Sequence, residues 1–141
     1  MITPTQQKIR DKSITAKQWA DMVRSGDWIC PGSTGSESTV CEDVLAYRLG
    51  EGPSQVKDIE FWTNCHILPF KSTCIDPEEK YHCIHQYFWF TPQRKQRDTY
   101  GTTDFVPYEW AINTWQQSYR FSHTEKDKRS LGWTIMAASP H

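Results

Sequence analysis

The 141-residue chain contains no apolar run near the ~20 residues a membrane-spanning helix needs, and Met1 to Lys12 is too polar for a signal peptide. A cytoplasmic protein without membrane contact is expected. Nor is there a surplus of basic charge: 16 Lys and Arg stand against 17 Asp and Glu, mixed along the chain, for a net charge of −1. That leaves no electrostatic footprint for nucleic acid. The phosphate-binding glycine patterns are missing. Gly32-Ser33-Thr34-Gly35 does not fit Gly-x-Gly-x-x-Gly, no Gly-Lys-Ser/Thr ending follows it, and no Gly-x-Ser-x-Gly elbow occurs. Nucleotide, dinucleotide and serine-hydrolase chemistry lose their usual sequence support. There is no Cys-x-x-Cys pair, no internal repeat and no low-complexity segment. The five cysteines, at 30, 41, 65, 74 and 83, are odd in number and lie mostly inside apolar segments, which fits reduced core thiols rather than a disulfide framework.

What the chain has in quantity is aromatic side chains: seven Trp, six Tyr and six Phe. With only 37% hydrophobic residues, the core must be aromatic and half-polar, or part of an aromatic surface must be covered by another chain. Trp110, Trp115, Tyr119 and Phe121 are the residues expected on such a surface. The length fits one domain with its own core.

Residues 1–12 are polar and read as an irregular arm. Thr15 is a plausible N-cap, and Ala16, Trp19, Ala20 and Val23 at i, i+3, i+4 and i+7 make one apolar stripe that stops at Gly26. Trp28-Ile29-Cys30 is a short buried strand. Val40, Cys41, Val44, Leu45 and Leu49 give a second amphipathic helix over about 37–49, closed by Gly50-Glu51-Gly52-Pro53. Residues 56–64 read as the next strand, 65–80 as loop around Pro69 and Pro77, and 81–90 as an aromatic-rich strand. Thr91-Pro92 opens a short helix over 93–99; a brief strand at 104–107, a helical stretch over 108–119, an exposed hydrophilic stretch over 121–130 and a buried strand over 132–138 follow. A strand, helix, strand order implies parallel pairing through right-handed crossovers, hence an α/β fold with an open, mostly parallel sheet flanked by helices.

In such folds ligands bind at the carboxyl ends of the strands. The loop after the first strand, Gly32-Ser33-Thr34-Gly35-Ser36, is the candidate binding element. Its glycines allow close backbone approach, and its hydroxyls lie beside the free N–H groups opening the next helix, so it can donate hydrogen bonds to a carboxylate, phosphate or thioester oxygen. No His is evidently held near it, so Ser36 is not read as a nucleophile. Glu37, Glu42, Glu60 and Glu109 read as surface or capping carboxylates. Cys65, His66, Cys74, His82 and His85 offer metal-ligating side chains, but strand alternation sends His82 and Cys83 to opposite faces, and no metal site is assigned.

The run from Lys12 to Ile29 (Lys-Ser-Ile-Thr-Ala-Lys-Gln-Trp-Ala-Asp-Met-Val-Arg-Ser-Gly-Asp-Trp-Ile) resembles the N-terminus of the acetyl-CoA hydrolase/transferase family. These CoA-transferases move CoA among acetate and butyryl-, propionyl- or 4-hydroxybutyryl-type groups. The resemblance continues through Asp43 to Leu49, Tyr87 to Lys95, Phe105 to Tyr108 and Ile135 to Pro140, in order and at compatible spacing. It implies one half of a two-domain CoA-transferase architecture, with residues 13–141 as the N-terminal domain and a coenzyme A thioester as substrate rather than bound cofactor. It also implies that Gly32 to Ser36 wall the acyl/carboxylate site. The nucleophilic glutamate would come from a C-terminal half or partner chain, no catalytic residue being assigned here, so the isolated chain is expected to be inactive. The chain departs from the pattern at Glu37-Ser38-Thr39, where relatives carry small residues and a proline. A carboxylate at Glu37 would oppose an anionic substrate. The reading from a different class is a non-catalytic binding or regulatory module, or a truncated remnant, built on the same fold.

Overall fold

A computed structural model of the chain describes residues 2–29, 31, 38–63, 68–86, 91–106 and 130–131. The first element is α1 (Pro4–Lys12), where composition pointed to an irregular arm. Its cause is local: Thr3 accepts from the Gln6 N–H at 3.2 Å while Gln6 Oε1 accepts from the Thr3 N–H at 2.8 Å. Pro4 sits in the first turn, where no N–H is needed. The helix buries nothing, so no apolar stripe announced it. The same device opens α2 (Ala16–Met22), in which Thr15 and Gln18 form a second capping box. Trp19, Ala20 and Val23 are buried as the stripe requires, although the helix ends at Met22, four residues before Gly26. Gly26 holds a positive φ of 82° and turns the chain into β1 (Trp28–Ile29).

The remaining order is α3 (Thr39–Ala46), β2 (Ile59–Thr63), α4 (Lys71–Ile75), β3 (His82–Gln86), α5 (Thr91–Tyr100), β4 (Asp104–Phe105) and β5 (Ser130–Leu131). All five strands pair in parallel, in the order β4-β3-β2-β1-β5. The α/β fold with a parallel sheet is therefore present. α4 falls inside the stretch that reads as loop. It is five residues long, too short for periodicity to reveal, and is held by tertiary contacts: Phe70, its N-cap, packs on Phe61 with ring centroids 5.4 Å apart. β5 begins two residues before the expected strand at 132–138; that stretch and the expected helix at 108–119 lie outside the described residues.

β2 and β3 alternate strictly between buried and half-buried positions. Ile59, Phe61, Thr63, His82, Ile84 and Gln86 share the buried face. Its apolar members join Ile29, Trp19, Val23, Leu45, Leu49 and Phe70 in one core beneath α2, α3 and the start of α4. Glu42 belongs to this layer and is not a surface residue. At 5% exposure its Oε1 accepts from the Lys71 N–H at 2.7 Å, so a carboxylate from α3 caps the positive end of α4. Glu42→Ala is expected to cost about 1.5–3 kcal/mol, the range for a hydrogen bond to a charged group, and Glu42→Gln distinctly less because an acceptor oxygen remains. Urea denaturation of the two variants measures the difference.

Candidate functional site at the carboxyl edge

Successive crossovers carry the chain from β1 to β4 in one direction across the sheet, and β5 then returns to the far side of β1. The switch of direction falls at β1. In an open parallel sheet that is where the crevice for a ligand lies, outside the carboxyl ends of the strands. The stretch leaving Ile29 at this edge contains Gly32, Ser33, Thr34, Gly35 and Ser36, so connectivity roots the sequence-predicted loop at the switch point. These five residues, Glu37 beside them, and Glu109 lie outside the described residues.

Three described features share this edge. α3 follows β1 and therefore starts here; its N-cap, Ser38, makes no side-chain hydrogen bond to the helix. On the buried face of the sheet, Thr63 and Gln86 end β2 and β3 as register partners, at 1% and 0% exposure. Thr63 Oγ1, Gln86 Oε1 and Gln86 Nε2 are buried without a hydrogen-bond partner among the described residues. Leaving a buried polar group unpaired costs about 1–3 kcal/mol. Ser72 Oγ, His82 Nε2 and His85 Nδ1 also lack a hydrogen-bond partner among the described residues, but only Thr63 and Gln86 place three such atoms on adjacent register partners.

The opposite, half-buried face of the sheet carries a second cluster. His85 stacks on Trp62 at 4.3 Å with 26° between the rings, and Trp28 lies 6.3 Å beyond. His85 Nε2 is 3.3 Å from Cys83 Sγ and 3.7 Å from Glu60 Oε2, while Nδ1 is 3.6 Å from Asp104 Oδ2. Trp62 Nε1 donates to the same Glu60 oxygen at 2.9 Å. Burial, then the surrounding Glu60, Glu79, Asp104 and Asp58 carboxylates, push the Cys83 thiol up to about 12. It stays protonated at neutral pH and is no nucleophile.

His82 faces the other way, into the core, and its Nδ1 is 2.8 Å from Asp76 Oδ2. The alternation expected of β3 thus separates His82 from Cys83 and His85, and Cys74 is exposed. Among the described residues no group of three or more His, Cys, Asp or Glu side chains is arranged to hold a metal ion; Cys65 and His66 lie outside them. Sequence reasoning singled out neither Thr63 nor Gln86. The available signal was polar residues closing alternating apolar faces, Ile59-x-Phe61-x-Thr63 and His82-x-Ile84-x-Gln86.

No family model and no curated protein matches the chain. Among solved structures, RipA from Yersinia pestis superposes with a TM-score of 0.59 at 14% identity, over 84% of this chain and 28% of RipA. A methionine-to-glycine variant of RipA gives 0.63 at 15% identity, over 84% of this chain and 27% of the variant. The shared feature is the fold. The chain spans little more than a quarter of the length of these neighbours, and no described helix is long and apolar enough to cross a membrane.

Proposed function

We propose that the chain is the N-terminal part or small subunit of an acyl-CoA:carboxylate CoA-transferase in the cytoplasm. Gly32, Ser33, Thr34, Gly35 and Ser36 form one wall of the acyl/carboxylate site, and a glutamate from a C-terminal half or partner chain acts as nucleophile. The observation that carries this reading is the strand order: the switch of direction falls at β1, from whose carboxyl end the glycine- and serine-rich loop departs. Two donors of the kind an acyl oxygen requires, Thr63 and Gln86, close the neighbouring strands at the same edge. A carboxylate nucleophile divides the exchange into acyl-anhydride and glutamyl-thioester steps, and the task of this half is to bind and orient the acyl group while the other half reacts.

The purified chain alone is expected to show no CoA exchange between acetyl-CoA and a short carboxylate. Adding a chain that carries the glutamate-bearing half restores the exchange. In the restored assembly Ser36→Ala lowers kcat/KM about tenfold, the worth of one hydrogen bond to the reacting acyl group. Turnover by the 141-residue chain alone overturns the reading. Failure of every such partner to restore exchange leaves the non-catalytic module.

A further inference from the structure

The buried face of β2 and β3 carries polar side chains at both ends. At the amino end His82 is engaged through Nδ1 by Asp76, while its Nε2 has no partner among the described residues. At the carboxyl end three atoms on two adjacent register partners, Thr63 Oγ1 and both terminal atoms of Gln86, have no hydrogen-bond partner among the described residues. Thr63 and Gln86 are partners in the ladder and almost fully desolvated, and the helix that begins at their edge, α3, has an N-cap whose side chain leaves the first N–H groups alone. Hydrogen bonds made in such a place are stronger than in water. Any oxygen anion there would also lie toward the positive end of α3.

We propose that Thr63 and Gln86 form a subsite for a small carboxylate, or for the acyl oxygen of its thioester. The Thr63 hydroxyl donates to one carboxylate oxygen and Gln86 Nε2 to the other. Gln86 Oε1 is an acceptor and repels a further anionic oxygen, so the pair discriminates against phosphate and sulfate, which present three or four, and in favour of a carboxylate, which presents two. The acyl chemistry rests on the transferase reading; the binding of a carboxylate does not.

The full chain is titrated with butyrate, and with inorganic phosphate as control, while thermal unfolding and the Gln86 side-chain amide 15N signals are followed. Butyrate is expected to raise the melting temperature and move the Gln86 signals, and phosphate to do neither. Thr63→Val and Gln86→Met replace orphaned polar atoms with apolar ones of similar shape. Each is expected to melt several degrees above the wild type without ligand and to lose the response to butyrate. Variants that melt below the wild type overturn the proposal, because those atoms then have partners in solution, such as an internal water. Variants that respond to butyrate as the wild type does, or a wild type indifferent to butyrate, overturn it equally. If CoA exchange is restored in the assembly while the subsite test fails, the transferase reading stands without this subsite. Butyrate binding without any exchange leaves the subsite in a protein that is not a transferase.

Discussion

Arg48→Ala is expected to lower the melting temperature by roughly 10 °C, at about 3–5 °C per kcal/mol for a domain of this size. Arg48 follows α3 and reaches back to the end of α2. Its guanidinium donates to the carbonyls of Ala20 and Val23, the latter at 3.1 Å, and its Nε donates to Ser54 O at 3.1 Å. The last carbonyls of a helix have no partner within it and carry the negative end of its dipole, so a planar cation with several donors suits them. One side chain therefore ties α2, the end of α3 and the turn before β2 together. Its loss removes charge-assisted hydrogen bonds in the range of about 1.5–3 kcal/mol each, less than additively, for a total of about 3 kcal/mol. Arg48→Lys recovers only part of this, since one ammonium cannot serve three carbonyls so placed. Thermal unfolding by circular dichroism checks both, and a loss under about 1 kcal/mol for Arg48→Ala contradicts this account.

The second large effect depends on pH. Asp76 ends α4 at 5% exposure. Burial alone would raise its carboxyl, but hydrogen bonds from the Tyr81 N–H at 2.7 Å, from His82 Nδ1 and from the Lys80 N–H at 3.0 Å outweigh burial and hold it below the ordinary 3.8. A carboxyl depressed in the folded state contributes stability above its unfolded value near pH 4 and loses it as pH falls through the folded value. Asp76→Asn keeps the shape but turns an N–H₂ group toward one of these donors. At pH 7 it is expected to cost about 2–3 kcal/mol. The gap between wild type and variant should close steadily below about pH 4, because the protonated wild type has then lost the same interaction. A gap that stays constant down to pH 2 contradicts the assignment.

Much of this architecture could be read from local signals. Thr15 capped its helix as expected, the stripe of Trp19, Ala20 and Val23 went inside, and the alternation of β3 separated His82 from Cys83. α1 was missed although its capping box is visible at Thr3 and Gln6, because a helix that buries nothing has no hydrophobic periodicity. α4 was missed because its stability resides in Phe61, Phe70 and Glu42, residues brought to it by folding. The candidate site divides the same way. The loop was marked by its glycines and serines, whereas Thr63 and Gln86 are distinguished by lacking partners among the described residues, which no sequence pattern records.

The pairing of β1 with β5 sets an order of events during synthesis. Trp28 lies beside Ser130, and Ile29 beside Leu131, about a hundred residues further on. At 5–20 residues per second the ribosome needs on the order of 5–20 s to cover that interval. For that time β1 can pair with β2 on one side while its other edge has no strand of its own to meet. An unpaired edge is a template for the strands of neighbouring chains. The nascent chain is therefore most open to misassembly in this window, and chaperone capture should fall off once residues 130 and 131 are free to pair with β1.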